Sequence, residues 1–295
     1  LCYMTTGELS VSATGEGGSY NYQWQEFDGA DYQDIASATN AKYTTAAKAE
    51  GTYTYRCVVT PTNGCETDIS SDIQVQVYAD LTSGTIASDQ TICYNTKPDA
   101  ISQTTAPTGG DGAYTYQWQQ KAGTDDWADI EEATSTSYQP NNLTATTLYR
   151  LKVASQCGTV ETDAATVTVR ADLTAPAINS MPDYICYNSQ PDKFRVTTEA
   201  TGGADDSFAY QWFESADGTT FTAIAGAENP EYQPETLTAD HFYKVMATSG
   251  KGCGSRESSA EKVNVYPDLE VTASGIAPLC YMTTGELSVS ATGEG

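Results

Sequence analysis

The chain has 295 residues, enough for two or three domains. Its formal net charge of −25 makes a surface that repels nucleic acid and anionic lipid, so neither is expected as a partner. No apolar run approaches bilayer length, which argues against direct membrane insertion, and the 20 tyrosines with abundant Thr and turn-forming Gly, Pro, Asn and Asp read as all-β.

Taken in order, the chain repeats itself. A Cys-Tyr pair opens it at Cys2-Tyr3 and returns at Cys93-Tyr94, Cys186-Tyr187 and Cys280-Tyr281. A Gly-rich turn then runs into an aromatic strand. TGEGGSYNYQWQ places Tyr20, Tyr22 and Trp24, TGGDGAYTYQWQ places Tyr114, Tyr116 and Trp118, and TGGADDSFAYQW places Phe208, Tyr210 and Trp212. Alternate positions share one face of a strand, so these aromatics need a covering layer. An aromatic three residues before an Ile follows, at Tyr32/Ile35, Trp127/Ile130 and Phe221/Ile224. Next come Tyr43, Tyr138 and Tyr232.

A strand with Tyr before a basic residue is then predicted at Tyr55-Arg56, Tyr149-Arg150 and Tyr243-Lys244. Its inward sets are Tyr55, Cys57 and Val59, then Tyr149, Leu151 and Val153, then Tyr243, Val245 and Ala247. A second cysteine follows at Cys65, Cys157 and Cys253, and an alternating Val strand ends at Val77, Val169 and Val265. Asp80, Asp172 and Asp268 open the next copy.

Each repeat of about 93 residues thus holds roughly seven short strands and no helical period. A two-sheet sandwich is the economical solution, with the Trp strand as C and the Tyr-basic strand as F of an immunoglobulin-like module. The stretch Gly51 to Cys57 resembles the tyrosine-corner strand of that family. The expected modules are residues 1–78 (lacking a leading strand), 79–171, 172–267, and the leading strands of a fourth at 268–295. The linkers VYADLTSG, VRADLTAP and VYPDLEVT lack the Gly/Ser length of a tether, which predicts modules end to end as a rod. Residues 1–17 are identical to residues 279–295, the mark of a higher-order repeat of three modules within a longer, exported protein.

Eight cysteines with one His and no Cys-x-x-Cys argue for bridges rather than zinc. Pairing inside each module joins Cys2–Cys65, Cys93–Cys157 and Cys186–Cys253, and leaves Cys280 to a partner further along. Cys57 takes the slot of Leu151 and Val245 and reads as a buried, inert thiol. His241 has no nucleophile arrangement around it. The carboxylates Asp125, Asp126, Asp129, Glu131, Glu132, Asp205 and Asp206 fall in hairpin loops and do not recur across copies. Asp80, Asp172 and Asp268 recur and are candidates for calcium, though no EF-hand ligand run is present; the bland alternative is turn capping. Tyr3, Tyr94, Tyr187 and Tyr281 are the exposed aromatics that a polysaccharide would stack on. Asn142-Leu-Thr144 is a formal glycosylation sequon. No catalytic residue and no cofactor is expected.

The copies resemble the Ig-like and PKD-like repeats of very large surface proteins of Bacteroidetes. The residues that carry the resemblance are Gln90-Thr-Ile-Cys93, Thr108-Gly-Gly with Tyr114-x-Tyr-Gln-Trp118, Trp127-x-x-Ile130, Ser137-Tyr-Gln-Pro140, Leu143-Thr-x-Thr-Thr-x-Tyr-Arg150 and Cys157-Gly. The resemblance implies gliding-motility and related adhesins, type IX export and anchoring at the outer membrane through regions outside this sequence. Such modules also space catalytic domains in secreted enzymes. The expected function is a structural stalk whose partners are neighbouring modules of the same chain; multivalent polysaccharide binding is the alternative.

Overall fold

The alternation around each Tyr-Gln-Trp becomes a C strand, at Tyr20–Phe27, Thr115–Ala122 and Phe208–Ser215. The computed structural model that shows this describes residues 1–15, 18–203, 207–275, 281–282 and 284–292. Each C strand pairs antiparallel with an F strand, Gly51–Pro61, Thr147–Ser155 or His241–Ser249. The register sets Trp24 opposite Cys57, Trp118 opposite Leu151 and Trp212 opposite Val245.

A short C′ strand (Tyr32–Asp34, Ala128–Asp129 or Thr222–Ala223) flanks C. A G strand in two pieces flanks F, for example Gly158–Glu161 and Ala165–Val169. The facing sheet is smaller. In the second repeat it orders E (Ser137–Tyr138), B (Ile101–Thr105) and A (Thr85–Ile86). In the third it orders Glu231–Tyr232, Phe194–Thr198 and Ala177–Ile178. The first repeat has Glu8–Ser10 on Lys42–Thr44. No helix occurs among the described residues. The chain is all-β, with immunoglobulin-like sandwiches repeated in tandem.

The chain divides into two compact units, residues 1–91 with 97–168, and residues 92–96 with 169–295. Within them each sandwich is filled by the same column of rings. Trp24, Trp118 and Trp212 are fully buried, as are Tyr55, Tyr149 and Tyr243. The E-strand tyrosine bridges them: Tyr138 lies 6.1 Å from Trp118 and 5.8 Å from Tyr149 between ring centroids. Burial holds the Tyr149 phenol in its neutral form, with its pKa pushed up to about 12. Each indole N–H donates to a backbone carbonyl, of Asn40, Ser135 and Asn229 respectively, at 2.8–2.9 Å. A buried Trp keeps its one polar atom satisfied in this way.

The motif residues around the tryptophan have equally definite work. Gln117 Nε2 donates to Trp118 O at 3.0 Å and to Ile130 O at 2.7 Å, which ties strand C to C′. Gln23 and Gln211 repeat this with Ile35 and Ile224. The basic residue of strand F lies over the aromatic of C′: Arg56 over Tyr32, Arg150 over Trp127 and Lys244 over Phe221, at 3.6, 4.4 and 4.2 Å from the ring centre. These outer pairs explain why both residue types recur. In the first repeat, Tyr53 Oη donates to Ala49 O at 3.1 Å, a corner bond of the type the sequence resembles.

One recurring residue had no sequence reading. Where the G strand breaks, Thr162 N donates to Leu151 O, and Leu151 N donates back to Thr162 Oγ1 at 3.0 Å. Ser70 does the same with Cys57, and Ser258 with Val245. The hydroxyl replaces the ladder partner that the break removes. Thr162→Val keeps the shape and deletes the acceptor, so it leaves a buried N–H bare and should cost about 1–3 kcal/mol. Thr162→Ser should recover most of that loss in urea unfolding.

The first two linkers are packed rather than loose. Leu81 and Leu173 are 7% and 5% exposed, and Leu173 sits among Ala200, Ala247, Phe208 and Tyr210. The preceding carbonyl crosses a glycine. A Cβ on Gly109 would lie 1.8 Å from Asp80 O, and one on Gly202 would lie 2.1 Å from Asp172 O. Both glycines also have positive φ, 76° and 79°.

Candidate functional site

The Cys-Tyr pairs are tight turns. In Cys93-Tyr94-Asn95-Thr96, the Thr96 amide and hydroxyl both donate to Cys93 O, at 3.3 and 2.7 Å. Thr5 repeats this on Cys2, and Ser189 on Cys186. The residue after Tyr is left-handed, with φ of 54° at Met4, 55° at Asn95 and 55° at Asn188. Asn tolerates that region well, and Met bears some strain there. The tyrosine stands at the outer corner, 41% exposed at Tyr3, 40% at Tyr94 and 39% at Tyr187. Tyr281 is exposed as well.

Two of the turns, at Cys2 and Cys93, are anchored by disulfides, but not by those expected. Cys2 is bonded to Cys157 and Cys93 to Cys253, with Cα–Cα distances of 5.2 and 5.3 Å. The pairings Cys2–Cys65, Cys93–Cys157 and Cys186–Cys253 are therefore incorrect. The reason is strand direction. In the third repeat, Ile185 bridges Val265 in parallel and accepts from Tyr266 N, so the Cys186 turn lies where the G strand ends. Cys253 lies where that strand begins, at the F–G hairpin. The two ends are on the order of 30 Å apart along a strand of that length, far beyond disulfide reach. Each observed bridge instead runs from the turn of one repeat to the F–G hairpin of the next. Cys93 accordingly belongs, with residues 92–96, to the second compact unit. Cys186 is exposed and has no disulfide partner among the described residues. Cys280 lies outside them.

Cys57 is buried without a disulfide, and burial raises its thiol pKa, which suits an inert core residue. His241 Nε2 lies 3.4 Å from Glu214 Oε2 and its ring packs beside Tyr243. Asp129 accepts from Gln119 Nε2 at 2.6 Å, part of the outer C–C′ face. Asp125, Asp126, Glu131 and Glu132 are exposed, while Asp205 and Asp206 lie outside the described residues. The side chains of Asp80, Asp172 and Asp268 are exposed, and Asp172 faces Arg256 at 3.5 Å. Among the described residues no cluster of three His, Cys, Asp or Glu could hold a metal. What recurs in the linker is the carbonyl over glycine and the leucine after it. Asn142 and Thr144 of the sequon are exposed. Among the described residues no helix is long and apolar enough to cross a membrane.

A family model described as a domain of unknown function (DUF8696) matches residues 1–79, 82–171 and 177–267. The chain belongs to this family. It carries the domain in three consecutive copies. No curated protein matches. Among solved structures, the chain is similar to the three N-terminal domains of the highly immunogenic outer capsid protein of bacteriophage RB49, at 13% identity over 90% of this chain and 95% of that one, with a TM-score of 0.37. Three consecutive domains of titin align at 14% identity, 90% and 95% coverage and a TM-score of 0.38. Extracellular domains 3–5 of Drosophila OTK align at 11% identity, 90% and 92% coverage and a TM-score of 0.33.

Proposed function

We propose that this chain is a stretch of the stalk of a long cell-surface adhesin, exported and held at the outer membrane through other regions, with no catalysis of its own. The observation that carries the reading is the bridging of successive repeats: the cysteine turn of one is bonded to the F–G hairpin of the next. A covalent tie across each linker adds nothing to a ligand site and adds much to a tether under load. Packed Asp-Leu linkers serve the same end, because each added repeat contributes a fixed increment of reach. The charge of −25 keeps neighbouring stalks apart and discourages edge-to-edge pairing of so much sheet.

The exposed tyrosines of the cysteine turns favour a second reading, multivalent binding of polysaccharide. Recombinant protein separates the two. The stalk reading expects an extended, rigid particle in small-angle scattering and no retention on surface glycans or glass. A compact, bent particle would sink it. Tight glycan binding that Tyr94→Ala and Tyr187→Ala abolish would establish the second reading.

A further inference from the structure

We infer that the outer sheet face of the first repeat carries a docking site, centred on Arg56, for a glutamate on an otherwise apolar segment of a partner protein. The inference goes beyond the stalk reading and stands without it.

The second and third repeats show what the site lacks. On the outer face each has a set of three: an aromatic ring of C′, the basic residue of F over it, and a glutamate of G. Arg150 lies over Trp127 with Nη2 4.0 Å from Glu161, and Lys244 lies over Phe221 with Nζ 2.6 Å from Glu257. Register fixes the glutamate. Glu161 pairs with Lys152 and Glu257 with Met246, each two residues beyond the basic one. In the first repeat Val58 takes that place on F, and its partner is Ile69. The ring and the cation are present at Tyr32 and Arg56, while an alkyl group replaces the carboxylate. Each of these residues lies inside a paired strand of one sandwich.

Arg56 is fixed in place. Its guanidinium carbon sits 3.6 Å from the centre of the Tyr32 ring, and Nε donates to Gln25 Oε1 at 2.7 Å. Arg56 is half-buried and has no carboxylate within 4.0 Å among the described residues. A guanidinium so held presents its Nη edge ready-made to a carboxylate, which it can bind through two parallel hydrogen bonds. The nearby acids are engaged elsewhere: Asp34 accepts from Gln25 Nε2 at 2.8 Å, and Asp72 bonds the Tyr32 hydroxyl. Asp129 takes the place of Asp34 beside Arg150 and does not keep Glu161 away.

The surroundings choose the partner. Phe27 is 39% exposed and packs on Tyr32 at 5.2 Å between ring centroids, and Ile69 is 47% exposed opposite Val58. Lys121 and Ser215 take the place of Phe27 in the other repeats, so the fold does not require a ring there. Apolar groups on both sides of one cation favour a protein glutamate between aliphatic residues. A uronate would leave its hydroxyls against Phe27 and Ile69 without partners. The net charge of −25 disfavours a second copy of this chain.

The test titrates the intact chain with the peptide acetyl-Ala-Val-Glu-Val-Ala-amide and follows the Arg56 Nε–H resonance. A saturable shift is expected, with a dissociation constant on the order of 1 mM for so short a probe. The peptide with Gln in place of Glu should give none. Ile69→Glu supplies the carboxylate from within, as in the other two repeats, and should weaken binding about tenfold. Ile69→Gln has the same size without the charge and should keep most of the binding. No saturable shift, an equal response to the Gln peptide, or binding that survives Ile69→Glu would overturn the inference. So would a response to hexagalacturonate in the absence of one to the peptide.

Discussion

Trp118→Ala is expected to destabilise the second repeat by about 3–5 kcal/mol, the range for deleting a large aromatic from a packed core. A repeat of this size commonly has only about 5–15 kcal/mol in all, so the variant should lose a large share of its stability and melt well below the parent. Trp118 is fully buried and in ring contact with Tyr138, so truncation leaves a cavity walled by rings that cannot collapse into it. It also strips Ser135 O of the indole N–H at 2.8 Å. Trp118→Phe keeps most of the ring and loses only that hydrogen bond and part of the volume, so its cost should fall between. Calorimetry of the two variants checks the order. A loss below about 1 kcal/mol for Trp118→Ala would mean the ring column is not what holds the sandwich.

The second large effect concerns the bridges, and it is read under force. Pulled by its ends with both disulfides intact, the chain can follow a short covalent path. That path crosses from Cys2 to Cys157, runs back to Cys93, and crosses to Cys253. At about 3.4 Å per residue, reduction should lengthen the fully extended chain by roughly 600 Å. The double replacement Cys93→Ser with Cys253→Ser should release only the part guarded by that bridge. The same replacement lowers stability without load. For a sequence separation of 160 the chain-entropy model gives roughly 5 kcal/mol, an upper limit because folded repeats already order much of that loop. Force spectroscopy that shows equal contour lengths before and after reduction would contradict the bridging.

The features legible in the sequence are those with short-range causes. Alternation at Tyr114, Tyr116 and Trp118 marks one face of a strand whatever surrounds it, and the recurrence of that pattern marks a repeated sandwich. The inward sets from Tyr55, Tyr149 and Tyr243 follow from the same two-residue period, and strand F buries them. The slot of Cys57 among Leu151 and Val245 was readable on the same ground, because a core position imposes size and apolarity on whatever fills it.

Tertiary structure alone decided what depends on direction and on crossing backbones. Cys93 is nearer in sequence to Cys157 than to Cys253, yet the strand beside G runs parallel to it and delivers each cysteine turn to the far end of its repeat. Proximity along a chain says nothing about which end of a strand a residue reaches. In the linkers, Asp80 and Asp172 drew attention for their charge, while the working parts are the carbonyls over Gly109 and Gly202 and the leucines beside them. A carbonyl has no letter in a sequence. The hydroxyls of Ser70, Thr162 and Ser258 did recur in every copy, and that recurrence was the available signal. It becomes meaningful only once the G strand is seen to break there, because a hydroxyl can replace a missing ladder partner only where an F-strand amide would otherwise be left bare.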